Sequence, residues 1–281
     1  MEIIDKKEIL QQKLALIRKQ NKTIGFVPTM GALHPGHYAL LQHAKTENDC
    51  LVCSIFVNPT QFNNPEDLKK YPRNTGKDID FIKDICDFVF LPSEEEIYPD
   101  TPSENYDFAC LDKVMEGAFR PGHFNGVAMV VKRLFDIISP NAAYFGKKDF
   151  QQTVIIRKLV QIHSLPIQIV LVDTVREADG LAFSSRNALL SETKRKQAPF
   201  IYQTMIKAKT YVQTKSPRDI EQWLHNQFAE NKEFTLEYAD IVDADSLLPV
   251  DNFNETQQAV LCIAAYLDKI RLIDNLELNK I

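Results

Sequence analysis

No stretch of this 281-residue chain approaches the roughly 18 consecutive apolar residues that a membrane span requires. The first residues carry Glu2, Asp5, Lys6 and Lys7 where a signal peptide would have its apolar core, so a cytoplasmic protein without a membrane partner is expected. Basic runs are scarce too. Net charge is −5, and the densest cluster, Lys194-Arg195-Lys196, reads as a solvated helix face. That argues against tRNA or another nucleic acid as partner, since a large polyanion demands a basic surface. The five cysteines are odd in number and scattered. Cys50 and Cys53 have redox or zinc spacing, but they lie in an apolar run from Cys50 to Val57, and no second pair with ligand spacing stands nearby. They are expected to be reduced thiols in a buried strand, which fits a reducing compartment.

What remains is ordinary globular composition in a length that suits a larger and a smaller domain. Strand-like runs at Thr23–Val27, Leu51–Val57, Asp87–Leu91, Ala142–Phe145 and Ile167–Val172 alternate with helical spacing at 38–45, 79–85, 125–138 and 149–163. The segment 92–102 is acidic, carries three prolines and reads as an exposed loop. Alternation of this kind predicts βαβ units and a parallel sheet, with ligands bound beyond the carboxyl ends of the strands. From about Val175 the texture changes. Two helices, 194–213 and 218–231, precede strand-like runs at 235–242, 259–266 and 271–276. The expected fold class is α/β, with a Rossmann-like parallel-sheet domain over 1–174 and a smaller α+β C-terminal domain, a lid, over 175–281.

The most informative segment is Pro28-Thr29-Met30-Gly31-Ala32-Leu33-His34-Pro35-Gly36-His37. A strand, a Gly-containing turn and a helix start place His34 and His37 beside backbone N–H groups that attract anions, phosphate above all. Two imidazoles there can donate to phosphate oxygens as charge builds up in a phosphoryl or nucleotidyl transfer. Asn58-Pro59-Thr60-Gln61 follows the second strand, and the Gln61 amide can both donate to and accept from a small hydroxy acid. Tyr71-Pro72-Arg73 leads to Asp78 and Asp80, either of which can ligate the hard cation of ATP chemistry or face solvent from a helix. Arg120 suits an anion or a structural ion pair, and Asn125 suits a helix cap. In Gly146-Lys147-Lys148-Asp149, the glycine lets a ligand approach the backbone, Lys148 offers a point charge and Asp149 a cap. Ser184, Ser185 and Arg186 supply two hydroxyls and a guanidinium, a set suited to phosphate.

His34-Pro35-Gly36-His37 resembles the His-x-Gly-His signature of the nucleotidylyltransferase superfamily, to which class I aminoacyl-tRNA synthetases belong. The longer string 28–37 and four further segments, in the same order and over nearly the whole chain, resemble the pantoate–β-alanine ligase family. That resemblance implies ATP and Mg²⁺ as cofactors, pantoate and β-alanine as substrates, a pantoyl-adenylate intermediate, and a homodimer. It implies catalytic roles for His34, His37 and Lys148. ATP contacts would come from Met30, Gly31, His34, His37, Gly146, Lys147, Lys148, Asp149, Val175, Phe183, Ser184, Ser185 and Arg186. Gln61, Gln152, Asn58 and Arg120 would hold pantoate or β-alanine, and Asp78 would be the metal ligand. The chain departs from the family pattern at Asn63 (usually Gly), Met129 (often Thr), Lys147 (usually Glu) and Phe183 (usually Met). Two other readings are a nucleotidyl transferase acting on a phosphate ester, and a non-catalytic nucleotide-binding module.

Overall fold

A computed structural model describes residues 1–278. The chain divides into two compact units, one of residues 1–147 and 152–173, the other of residues 148–151 and 174–281. Among the described residues, no helix is long and apolar enough to cross a membrane.

The first unit is built on six strands: β1 (Glu2–Ile4), β2 (Ile24–Thr29), β3 (Cys50–Ile55), β4 (Phe88–Phe90), β5 (Ala142–Gly146) and β6 (Gln168–Val172). They form one sheet in the order β1-β4-β3-β2-β5-β6, and every neighbouring pair is parallel. All six residues of β3 are buried, as expected of a near-continuous apolar strand covered on both faces. Cys50 and Cys53 are buried free thiols within it. Burial pushes the Cys50 thiol up to about 11, so it stays protonated and behaves as a small apolar side chain. Helix Pro35–Glu47 lays Leu40, Leu41 and Ala44 against Val27, Leu51 and Tyr144 of the sheet, in the register its spacing predicts.

Helix His123–Ile138 begins two residues before the expected start, after Gly122, so Asn125 lies inside its first turn and caps nothing. The Asn125 side chain instead accepts from Tyr106 N–H (3.0 Å) and donates to the Glu104 carbonyl (2.9 Å). The acidic segment 92–102 is not simply exposed. Ser93 caps a short helix, Glu94–Ile97, which buries Ile97 and Tyr98. Strand β1 is not evident in the sequence, because two of its three residues are exposed and no apolar run marks it; helix Lys7–Lys19 is legible in the i, i+4 spacing of Leu10 and Leu14, which it buries.

The second unit has a three-stranded antiparallel sheet, β7 (Phe234–Asp243), β8 (Ala259–Leu267) and β9 (Ile270–Glu277), paired in that order. Helices Phe200–Lys209 and Pro217–Glu230 bury Met205, Leu224 and Phe228 with Leu261 and Ile263 of β8. The single helix expected over 194–213 is two, Glu192–Gln197 and Phe200–Lys209, parted at Pro199. Proline has no N–H to continue the ladder and clashes with the preceding turn.

Candidate active site

In the sheet order β3-β2-β5, the first two of these neighbouring strands release the loops that carry Asn58 and His34, and the third ends on Gly146. After β2 the backbone turns through two successive left-handed residues, Gly31 (φ 80°) and Ala32 (φ 51°). The turn is tied to Asp78, from helix Thr75–Ile82. Ala32 N–H donates to Asp78 Oδ2 (3.0 Å) and Leu33 N–H to Asp78 Oδ1 (2.7 Å). Asp78 is buried, and a Cβ on Gly31 would meet its Oδ2 at 2.9 Å, so glycine is required for space as well as for φ.

Helix Pro35–Glu47 then opens with its two histidines standing in for the usual Ser and Glu of a capping box. His34 Nδ1 accepts from Gly36 N–H (3.2 Å), and His37 Nδ1 accepts from His34 N–H (3.3 Å). The rings are 4.0 Å apart, centroid to centroid. Because each Nδ1 accepts, the neutral imidazoles carry their hydrogen on Nε2, which makes Nε2–H the donor of each ring. Local chain geometry therefore sets the tautomer of both histidines.

The loop after β3 is a saturated buried network. Asn58 is fully buried; its Nδ2 donates to the Gly126 carbonyl (3.0 Å) and to Gln61 Oε1 (3.1 Å). Its Oδ1 accepts from Tyr98 Oη (2.8 Å) and Thr60 Oγ1 (3.0 Å). All its hydrogen-bonding groups are engaged within the protein, so Asn58 fixes the orientation of the Gln61 amide. Gln61 Nε2 lies 3.0 Å from Met30 Sδ, which joins this loop to the start of the histidine turn. His123 Nδ1 pairs with the Gln61 carbonyl (2.8 Å). Gly126 lets helix His123–Ile138 pass against the loop, since a Cβ there would meet Thr60 O at 2.4 Å. Arg120 forms an ion pair with buried Glu116 (3.5 Å). Asn63, in place of the family's glycine, has no positive φ; its Nδ2 donates to the Pro121 carbonyl (2.5 Å).

Tyr98, His123 and Gly126 are the residues that sequence reasoning passed over. The last two flank Asn125 in the sequence, where a histidine and a glycine beside a helix start were the available signal. Tyr98 carried none, sitting in a stretch that reads as an acidic loop.

Residues 147–149 form a single 3-10 turn that leads directly into helix Phe150–Ile162, with Asp149 its last residue. Within the first unit, Lys147 pairs with Asp173 (2.8 Å). Gln152 is half-buried in the helix's first turn. In the second unit, Lys148 Nζ lies 3.2 Å from Asp149 Oδ1, and Asn275 Nδ2 donates to the Lys148 carbonyl (2.9 Å). Phe183 N–H bonds back to the Val175 carbonyl (3.0 Å), closing the loop that ends at Ser184. Ser184 caps the turn Ser185–Leu189 by accepting from Arg186 N–H (3.3 Å). Lys148, Ser184 and Arg186 line one small cavity. Arg176 grips Asp274 in a bidentate pair (2.6 and 2.9 Å), with its guanidinium 3.8 Å from the centroid of the Tyr202 ring. Arg195, read as part of a solvated face, bridges Glu177 (2.5 Å) and Asp179 (2.7 Å) at the base of the same loop.

Among the described residues, no three His, Cys, Asp or Glu side chains come together as a metal cage. Asp80, the other aspartate with metal-binding chemistry, lies 3.7 Å from Lys83 on the exposed face of its helix.

The sequence model of the pantoate-beta-alanine ligase family matches residues 2–277. The chain is 49% identical over 282 residues to the pantothenate synthetase of Christiangramia forsetii, an alignment covering 99% of this chain and 100% of that one. It superposes on the crystal structure of pantothenate synthetase from Thermus thermophilus with a TM-score of 0.93 and 38% identity, covering all of both chains. The pantoate-beta-alanine ligase of Francisella tularensis, solved with beta-gamma ATP and beta-alanine, superposes with a TM-score of 0.81 and 35% identity, over 98% of this chain and 97% of that one. The chain belongs to the pantoate–β-alanine ligase family: it is an ATP-dependent ligase that joins pantoate to β-alanine.

Proposed function

We propose that the ligation runs in two steps, with the work divided among the residues described above. The carboxylate of pantoate attacks the α-phosphorus of ATP, pyrophosphate leaves, and pantoyl adenylate forms. The amine of β-alanine then attacks the acyl carbon, loses a proton, and displaces AMP to give pantothenate. No protein nucleophile is needed; alignment and charge neutralisation are the protein's contribution. His34 and His37 donate from Nε2 to phosphate oxygens, and Lys148, Ser184, Ser185 and Arg186 carry further triphosphate charge. Gly31, Gly146, Val175 and Phe183 offer backbone to the nucleotide, with Met30, Lys147 and Asp149 beside it. Gln61 and Gln152 hold pantoate. Asn58 serves that subsite through the Gln61 amide and Arg120 through its pair with Glu116.

The observation that carries this reading is the reciprocal cap of His34 and His37 at a helix N-terminus, which engages both Nδ1 atoms and assigns the ring hydrogen to Nε2. Magnesium is the metal that ATP chemistry implies, where it offsets triphosphate charge. The residues offer no cage for a protein-held ion: among the described residues no cluster of ligands forms around Asp78, each of its oxygens already accepts one backbone N–H group, and Asp80 stands apart. A cytoplasmic homodimer is proposed from family resemblance, and sedimentation equilibrium showing a monomer at micromolar concentration would remove that part. The central test is exchange of labelled pyrophosphate into ATP. It should require pantoate and proceed without β-alanine; exchange that needs both substrates would remove the two-step reaction.

A further inference from the structure

Asp78 has a use that the metal reading leaves out. A buried carboxyl group is costly unless its oxygens are hydrogen-bonded, and here the two oxygens take two consecutive backbone N–H groups, those of Ala32 and Leu33. Ala32 is a non-glycine residue held at φ 51°, a conformation that persists only when its surroundings impose it. The chain neighbours on either side lead straight to function. Upstream, Met30 touches the Gln61 amide; downstream, His34 caps the helix and receives the cap of His37. Gly31 closes the arrangement, because any side chain there would strike the Asp78 carboxylate. The partners lie 45 and 46 residues apart in sequence, so the turn takes its shape from a tertiary template and not from local preference.

We infer that Asp78 is a positioning residue for adenylate formation: it moulds the 30–33 turn so that His34 and His37 present Nε2–H to the triphosphate, and it does not ligate magnesium. This rests on the assignment of the two histidines to phosphate. Asp78→Asn keeps the shape but sets an NH₂ group against one of the two N–H donors. Pantoate-dependent pyrophosphate exchange should fall by about 10- to 100-fold in kcat. KM for ATP and the magnesium concentration giving half-maximal rate should each stay within about threefold, a margin below one lost hydrogen bond. Amide formation from supplied pantoyl adenylate should also remain within about threefold, since that step builds no new charge on the triphosphate. A tenfold or greater rise in the magnesium requirement, with the rate restored by excess metal, would establish a ligand and overturn the inference. Equal losses in both half-reactions would reduce Asp78 to a folding role and overturn it as well.

Gly31→Ala provides a second approach that leaves the carboxylate intact and pushes the turn off it. It should show the same split between half-reactions with the same unchanged magnesium dependence, and wild-type exchange in this variant would refute the template even if Asp78→Asn failed to fold. His37→Ala, assayed alongside, separates the two levels. If it leaves exchange intact, the histidine assignment falls and the inference with it. If exchange collapses in His37→Ala but not in Asp78→Asn or Gly31→Ala, only the inference falls.

Discussion

The turn at 30–37 and the loop at 176–187 are both assigned to the charged end of ATP, yet they are held by opposite means. The turn hangs on a buried carboxylate that takes backbone N–H groups and on two imidazoles that cap a helix. The loop is braced by ion pairs: Arg176 with nearly buried Asp274, and Arg195 with the more open Glu177 and Asp179. Desolvated hydrogen bonds and the nearly buried, bidentate Arg176–Asp274 pair resist salt and favour one conformation, whereas the more open Arg195 pairs are screened and individually weak. The turn is therefore held by desolvated contacts throughout, while the loop is a clamp that is firm at Asp274 and open to screening at Arg195.

The sharpest way to break that comparison is to remove a donor from each side. His37→Ala and Lys148→Ala should each lower adenylate formation by about 100-fold or more, with much less effect on amide formation from supplied pantoyl adenylate. Losses of equal size in both half-reactions would point to ground-state binding or misfolding. Next in size is the buried amide network. Gln61→Ala should weaken pantoate use by about 10- to 100-fold while ATP binding to the free enzyme holds, because one or two substrate hydrogen bonds go unmade. Tyr98→Phe removes a single bond to Asn58 and should cost roughly fivefold in KM for pantoate. If Gln61→Ala impaired ATP binding and spared pantoate, the division of the subsites would be wrong.

Smaller effects test the clamp. Arg195→Ala should raise KM for ATP only about two- to fivefold, and raising salt from about 50 to about 500 mM should shrink the difference from wild type, as the screening of half-exposed pairs requires. Asp78→Asn should show no such convergence with salt. The last effect is one of pH. The Arg195 guanidinium holds the Asp179 carboxyl below its ordinary value of 3.8. A carboxyl depressed in the folded protein contributes stability that is present above the unfolded value and lost as pH falls through the folded one. Thermal unfolding of wild type and Arg195→Ala should therefore differ by a few degrees at about pH 6 and converge below about pH 3.8. A gap that persists unchanged into acid would show that this pair does not brace the loop.

Much of this was legible because it is local. Burial along Cys50–Ile55, the face of Leu40, Leu41 and Ala44, and the strand–turn–helix around His34 and His37 each depend on residues within a few positions of one another. The helix divided at Pro199 was legible in principle, since the proline is in plain view; apolar spacing on both sides outweighs it in the reading. What sequence could not reveal were the partners of polar groups. Asp78 reads as a metal ligand because an aspartate's chemistry is the same in either use. Asn58 reads as a substrate contact because nothing nearby announces Tyr98 or Gly126 as its partners.

The sequence by itself determined the parallel-sheet architecture, the position of the two histidines at a helix start and the reaction family. Periodicity, capping and motif order are properties of short segments, and side-chain chemistry travels with the residue. Only the tertiary structure decided that Asp78 templates the histidine turn, that Asn58 is spent on orienting Gln61, and that Arg195 braces the serine loop. The physical reason lies in the sheet: the order β4-β3-β2-β5 brings together the ends of strands far apart in the chain, and a buried polar group takes whichever partner that assembly delivers.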